Sequence, residues 1–165
     1  MKSRIGAVAL AATVVAAGNA FAAEVVRHKI PNSNFPIARA VEVPADKTTV
    51  YLSGAVPSDI DEKADKATVA AYGDTKAQTE SVLKSIDKTL NELGLKMGDV
   101  IKMTVFLVGD PGKGGKMDFA GFMEGYTQFF GTEAQPNLPT RSVVEVAGLA
   151  SPGFLVEIEV TAVRP

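Results

Sequence analysis

The residues of this chain that could act on a small charged molecule gather in its last third. Arg141 lies in Leu138-Pro139-Thr140-Arg141-Ser142-Val143-Val144-Glu145-Val146. Glu157 and Glu159 lie in Phe154-Leu155-Val156-Glu157-Ile158-Glu159-Val160-Thr161-Ala162-Val163. Both stretches are rich in β-branched residues and bounded by proline and glycine, which predicts β-strands. Successive strand side chains point to opposite faces. Phe154, Val156, Ile158, Val160 and Ala162 then make a core face, and Leu155, Glu157, Glu159 and Thr161 make the other. The two carboxylates stand about 7 Å apart by strand rise, on a surface that a neighbouring strand could share with Arg141. A guanidinium and carboxylates on one surface form either a solvated face with ion pairs or a polar site. The pattern alone leaves both open.

Other chemistries have less support. His28 is the only histidine and there is no cysteine. A lone histidine, without paired cysteines or carboxylates at ligand spacing, does not specify a metal site. Nor does His28 have a Ser or Cys partner in a nucleophilic arrangement, so it reads as an ordinary strand residue. Gly109-Asp110-Pro111-Gly112-Lys113-Gly114-Gly115-Lys116 is glycine-rich but lacks the Gly-x-x-x-x-Gly-Lys-Ser/Thr spacing that cradles phosphates. The formal charge is −2, and −4 once the two cations Lys2 and Arg4 are set aside. With no basic stripe, that argues against a nucleic-acid surface.

The elements that must position Arg141 and Glu157 follow from periodicity. Lys2 and Arg4, the apolar run Ile5 to Ala17 and Asn19-Ala20-Phe21-Ala22 predict a cleavable export signal over residues 1–22. The run is too short for a convincing membrane span. The mature chain, residues 23–165, is then a single domain, expected in the periplasm. Without cysteines it must be stabilised by its core and by partner subunits. Strands are expected over Glu24–Ile30, Val41–Val43 and Thr48–Leu52, the last stopped by Ser53-Gly54. Residues 56–72 read as irregular and densely charged, either a solvated excursion or a lid over a cleft with Tyr72 as an aromatic wall. Val82, Leu83, Ile86, Leu90 and Leu93 predict a helix over Thr75–Leu93, capped by Asp74 and stopped by Gly94. A strand over Asp99–Val108 and a helix over Phe119–Phe130, capped by Asp118, complete the order β-β-β-α-β-α-β-β. Two helices covering one face of a mostly single sheet make an α+β domain.

Pro139-Thr140-Arg141-Ser142-Val143-Val144-Glu145-Val146 and Val156-Glu157-Ile158-Glu159-Val160-Thr161-Ala162-Val163 resemble the C-terminal signature of the Rid family, the reactive-intermediate deaminases also called YjgF/YER057c/UK114. The resemblance extends to Tyr51-Leu52-Ser53-Gly54, to Leu95 through Phe106 and to Phe119 through Phe130, and so spans nearly the whole chain after about Arg27. It implies a chorismate-mutase-like fold and a homotrimer with a barrel-like core. Three clefts would then lie between subunits, with Leu155 an interface residue on the face away from the helices. It implies an enamine/imine deaminase that hydrolyses reactive 2-imino acids to 2-keto acids and ammonia. Arg141 would grip the substrate carboxylate through paired hydrogen bonds. Glu157 would orient or activate the attacking water, and Ser53, Gly54, Val105 and Phe106 would line the pocket. No metal or organic cofactor is implied, because an imine carbon is already electrophilic. Two positions depart from the family pattern: Ile37 stands where the deaminases carry a tyrosine, and Met123 where an asparagine is frequent. The alternative is a non-catalytic trimer binding small carboxylate metabolites in the periplasm. Export speaks for that alternative, since familiar 2-aminoacrylate sources are cytoplasmic, although an exported amino-acid oxidase could supply imines. Ribonuclease activity, an older label of the family, fits poorly with the negative charge.

Overall fold

The computed structural model describes residues 24–165; the expected export signal over residues 1–22 lies outside the described residues. The chain forms β1 (Val26–Lys29), β2 (Ala38–Glu42), β3 (Thr49–Ala55), α1 (Thr75–Glu92), β4 (Val100–Val108), α2 (Phe119–Tyr126), β5 (Thr140–Val146) and β6 (Val156–Val163). This is the expected order of elements. Short 3-10 turns occupy Val69–Ala71, Met97–Asp99 and Pro111–Lys113. The middle turn moves the start of the expected Asp99 strand to Val100.

The helices begin and end where local chemistry requires. Asp74 accepts a hydrogen bond from the Ala77 amide at 2.9 Å, satisfying a free donor of the first turn of α1. At the other end Gly94 adopts φ +71°, and the Leu95 amide bonds back to the Leu90 carbonyl at 2.8 Å. That is a Schellman closure, and it turns Leu95 onto the core. Asp118 caps α2 through the Gly121 amide at 3.0 Å. Gly125 lets α2 approach α1, because a side chain there would overlap Thr79.

The main sheet has the strand order β3-β6-β4-β5. Its β4–β5 pair is parallel, and its β3–β6 and β4–β6 pairs are antiparallel. The β1–β2 hairpin hangs beside β5, where the Ala38 amide bonds the Pro139 carbonyl at 2.9 Å. Arg27 fastens it further, donating to the carbonyls of Gly98, Val100 and Leu138 at 2.8, 2.9 and 3.1 Å. Both helices pack on one face of the sheet. Val82, Leu83, Ile86 and Leu90 of α1 and Phe122 and Tyr126 of α2 meet Met103, Val105 and Leu107 of β4 and Val156, Ile158, Val160 and Ala162 of β6. Each of these large apolar side chains contributes roughly 1.5–3 kcal/mol by leaving water. The domain is α+β.

Three expectations need correction. β5 and β6 are not neighbours; β4 runs between them. Ser53-Gly54 does not stop β3, which continues to Ala55 through an irregularity in register between Leu52 and Ala55. Leu155 is not exposed on the outer face: it is 1% accessible and belongs to the core. The strand proper begins only at Val156, so the alternation expected from Phe154 onward does not apply to Leu155. Its amide is taken instead by the buried Gln78 side chain, at 2.7 Å.

Candidate functional site

Arg141 lies directly opposite Met103, which in turn faces Val160 across the β4–β6 pairing. Side chains opposite one another in a sheet share a face. Arg141 therefore points to the helix side, beneath α2. Its guanidinium carbon stands 4.2 Å from the centre of the Tyr126 ring, 5.0 Å from Phe122 and 5.5 Å from Phe35. Nη2 donates to the thioether of Met123 at 3.2 Å, a weak acceptor. Nη1 is buried and has no hydrogen-bond partner.

This is an unusual place for a cation. Burial lowers the basicity of the guanidinium, and the facing Tyr126 offsets part of that effect. Arginine remains charged in proteins regardless. Ring faces attract it by about 0.5–2 kcal/mol each. They do not replace the hydrogen bonds that water made to Nη1, and a buried ion ordinarily needs a partner anion. No salt bridge involving Arg141 occurs among the described residues. The rings fix the guanidinium plane and leave Nη1 as a charged donor without an acceptor among the described residues. Tyr126 serves as scaffold. Burial pushes its phenol up to about 12, and its hydroxyl donates to the Pro36 carbonyl at 2.9 Å.

Glu157 is placed differently. It lies opposite Phe106, which lies opposite Val144 on β5. That row belongs to the face away from the helices. The carboxylate of Glu157 rests on Gly54, where any side chain would overlap it. A larger residue at this irregularity of β3 would force the Glu157 carboxylate to move from its present position. Ser53 is exposed beside it. Val105 turns its side chain into the core, while Phe106 is half-buried in the Glu157 row. The predicted residues thus form two groups: Glu157, Gly54 and Phe106 with neighbouring Ser53 on the outer face, and Arg141 on the inner one. Within one chain the sheet stands between them.

The two departures read from sequence fall unequally. Met123 touches Arg141 directly. Ile37 is half-buried, two residues after Phe35, and its amide bonds the Phe35 carbonyl at 2.8 Å. Phe35, Phe122 and Tyr126 were not recognised as site residues from sequence. The aromatic spacing of α2 was visible but indistinguishable from ordinary packing on a sheet. Gln78 was also missed. Its Nε2 donates to Gly73 and Gly153 at 2.9 and 3.0 Å. Together with its bond to Leu155, this ties the end of the 56–72 excursion to the entry of β6. The excursion is fastened elsewhere: Ser151 bonds the Lys66 carbonyl, and Tyr72, 7% exposed, meets Phe154 edge-on at 4.8 Å.

Other candidates resolve simply. His28 pairs with Glu42 at 2.7 Å on the exposed side of the β1–β2 hairpin. The glycine-rich loop closes on itself, Asp110 accepting from the Gly112 amide at 2.7 Å and pairing with Lys116. A groove of about 510 Å³ runs past Arg27, Lys47 and Asp99. Arg27, however, is already occupied with three backbone carbonyls.

Comparison with known proteins bears on the family and the fold. The model of the Endoribonuclease L-PSP family matches residues 31–164. A Salmonella typhimurium protein named 2-iminobutanoate/2-iminopropanoate deaminase is 38% identical over 115 residues, covering 70% of this chain and 79% of its own. The crystal structure of the YjgF gene product of Escherichia coli is 31% identical, with a TM-score of 0.56 over 82% of this chain and 93% of that one. A structure of Escherichia coli TdcF with bound serine is also 31% identical, with a TM-score of 0.56 over 86% of this chain and 98% of that one. The two helices on a mixed sheet are the chorismate-mutase-like α+β fold of those structures, and the chain belongs to the Rid/YjgF family.

Proposed function

We propose that this protein is an enamine/imine deaminase that hydrolyses reactive 2-imino acids to 2-keto acids and ammonia. The observation that carries the proposal is the half-buried Arg141 guanidinium, held by three rings, with a buried Nη1 left without a partner. A substrate carboxylate supplies the missing anion and accepts the hydrogen bonds that Met123 serves poorly. Glu157 accepts a proton from water as it attacks the imine carbon and the nitrogen gains one, giving a carbinolamine. The carbinolamine hydroxyl then yields its proton, passed through the carboxylate to the amine, as the C–N bond breaks and the carbonyl forms. The products are the 2-keto acid and ammonia. Positioning of water and imine supplies much of the rate. The names of the relatives, a deaminase and a serine-bound protein, support a small amino-acid-like ligand.

Because the sheet separates Arg141 from Glu157 in one chain, a working site needs the carboxylate of a second copy. A homotrimer with clefts between subunits meets that need. The proposed mature protein begins after the export signal at Ala23, and its place is the periplasm. The proposal is tested by mixing Arg141→Ala chains with Glu157→Ala chains, each inactive alone. If each site combines residues of two chains, random co-assembly restores activity at about one quarter of the interfaces. No restoration on verified co-assembly overturns the shared site. A non-catalytic binder of small carboxylates remains the second reading. It is favoured by the thioether of Met123 beside the guanidinium, which offers no group to activate water.

A further inference from the structure

The surroundings of Arg141 also carry information about the rest of its ligand. Phe35 is 42% exposed and stands 5.5 Å from the guanidinium carbon. The same ring lines a second feature, a cavity of about 180 Å³ with Ile30, Ile37 and Leu138 as its other apolar walls. Lys29, Ser33 and Asn34 also line it, and all three are exposed, so the polar groups belong to the solvent side. The backbone that carries Phe35 is held on both sides. The Ser33 hydroxyl accepts from the Phe35 amide at 3.1 Å, and the Ile37 amide donates to the Phe35 carbonyl at 2.8 Å. The segment that carries the ring is thus held in place at its backbone, and the ring itself is part-exposed.

We infer that the Arg141 site selects 2-oxo and 2-imino carboxylates with an apolar side chain of branched-aliphatic size or larger. Phe35 is the wall shared by the guanidinium and the pocket that takes the side chain. The inference rests on the carboxylate-binding role proposed above for Arg141. Its physical basis is the chemistry of the walls. The contacts of Arg141 are three rings and a thioether. The Tyr126 hydroxyl is already engaged with Pro36. A side-chain hydroxyl turned toward the Phe35, Ile37 and Leu138 walls would lose water without gaining a partner, which sites of this kind penalise. An apolar side chain gains by burial between Phe35, Ile37 and Leu138. A cavity of roughly 150 Å³ with such walls holds a benzene-sized group. The carboxylate then lies at Nη1 and the side chain in the pocket, which requires the Phe35 ring between them to turn.

The test is calorimetric titration of the protein with pyruvate and with 4-methyl-2-oxopentanoate, which differ by three apolar carbons. Each buried methylene is worth roughly fourfold in affinity. The branched acid is expected to bind at least about tenfold more tightly, and up to about fiftyfold. Ile37→Ser, at a half-buried wall position, should shrink that ratio by about fivefold or more. Equal affinities, or tighter binding of pyruvate, overturn the inference while leaving Arg141 as a carboxylate receptor. Failure of both acids to bind, or unchanged binding of both to a folded Arg141→Gln variant, removes the carboxylate reading and the inference with it.

Discussion

Replacing Arg141 by methionine separates the functional account of this residue from a structural one. The substitution keeps an unbranched side chain among Phe35, Phe122 and Tyr126 but removes the charge. Taking an ion out of water costs several kcal/mol after relaxation, and the unpartnered Nη1 adds about 1–3 kcal/mol. Against this stand three ring contacts at 4.2, 5.0 and 5.5 Å, worth about 0.5–2 kcal/mol each and least at the longest distance. A thioether among the same rings recovers about 0.3–1.5 kcal/mol of favourable contact. Arg141→Met is therefore expected to stabilise the ligand-free protein by about 1–3 kcal/mol. For a domain of this size that raises the midpoint by roughly 2–4 °C per kcal/mol. The assay is urea and thermal unfolding at one fixed protein concentration, since assembly shifts apparent stability. The same samples are then run with a carboxylate ligand. Wild-type protein should gain about 2.7 kcal/mol at a hundred times the dissociation constant, and the variant nothing. Loss of more than about 1 kcal/mol in the variant would refute the reasoning, because the guanidinium would then be a structural cation satisfied by its rings.

Four further outcomes follow from the same geometry. Glu157→Gln should lower the imine hydrolysis rate by about 10²–10⁴-fold with little change in unfolding midpoint, as read by steady-state kinetics beside thermal melts. Gly54→Ala places a methyl group where the Glu157 carboxylate lies; it should displace the carboxylate and depress hydrolysis with a stability change under about 1 kcal/mol, and Ser53→Ala should leave hydrolysis unchanged. Gln78→Leu removes the partner of three backbone groups, two of the bonds buried and one part-buried, and should destabilise by about 2–4 kcal/mol in urea unfolding. Tyr126 should ionise only near pH 12. Its raised value means that the stability it contributes is complete below pH 10 and is lost as pH rises toward 12. Absorbance titration of a Tyr51→Phe, Tyr72→Phe variant isolates that transition, and ionisation near pH 10 would contradict the burial account.

Periodicity and capping made most of the fold legible. The α1 stripe, Asp74 and Gly94 specify a helix and both of its ends through local chemistry alone, and the structure follows them. The alternation of β6 likewise identified Val156, Ile158, Val160 and Ala162 as core. What stayed hidden is what depends on strand order. Sequence places Arg141 and Glu157 on strands but not on faces of a common sheet, and the insertion of β4 between β5 and β6 decides that they part. Leu155 was misread because alternation was counted two residues before the strand begins. The cage around Arg141 joins a loop residue, Phe35, to α2 across more than eighty residues of chain, and no local pattern encodes such a meeting. The Gly54 contact is intermediate: the resemblance pointed to the position, while the carboxylate resting on it is seen only in the fold.

The most direct test of the central claim is imine hydrolysis by the protein without residues 1–22. An amino-acid oxidase generates 2-imino acids in situ, and semicarbazide traps what escapes hydrolysis. The account predicts faster release of 2-keto acid and less trapped imine in the presence of the protein, and no such effect with a folded Arg141→Ala variant. A folded assembly that leaves trapping unchanged with every imine offered, or an Arg141→Ala variant as active as wild type, would contradict it.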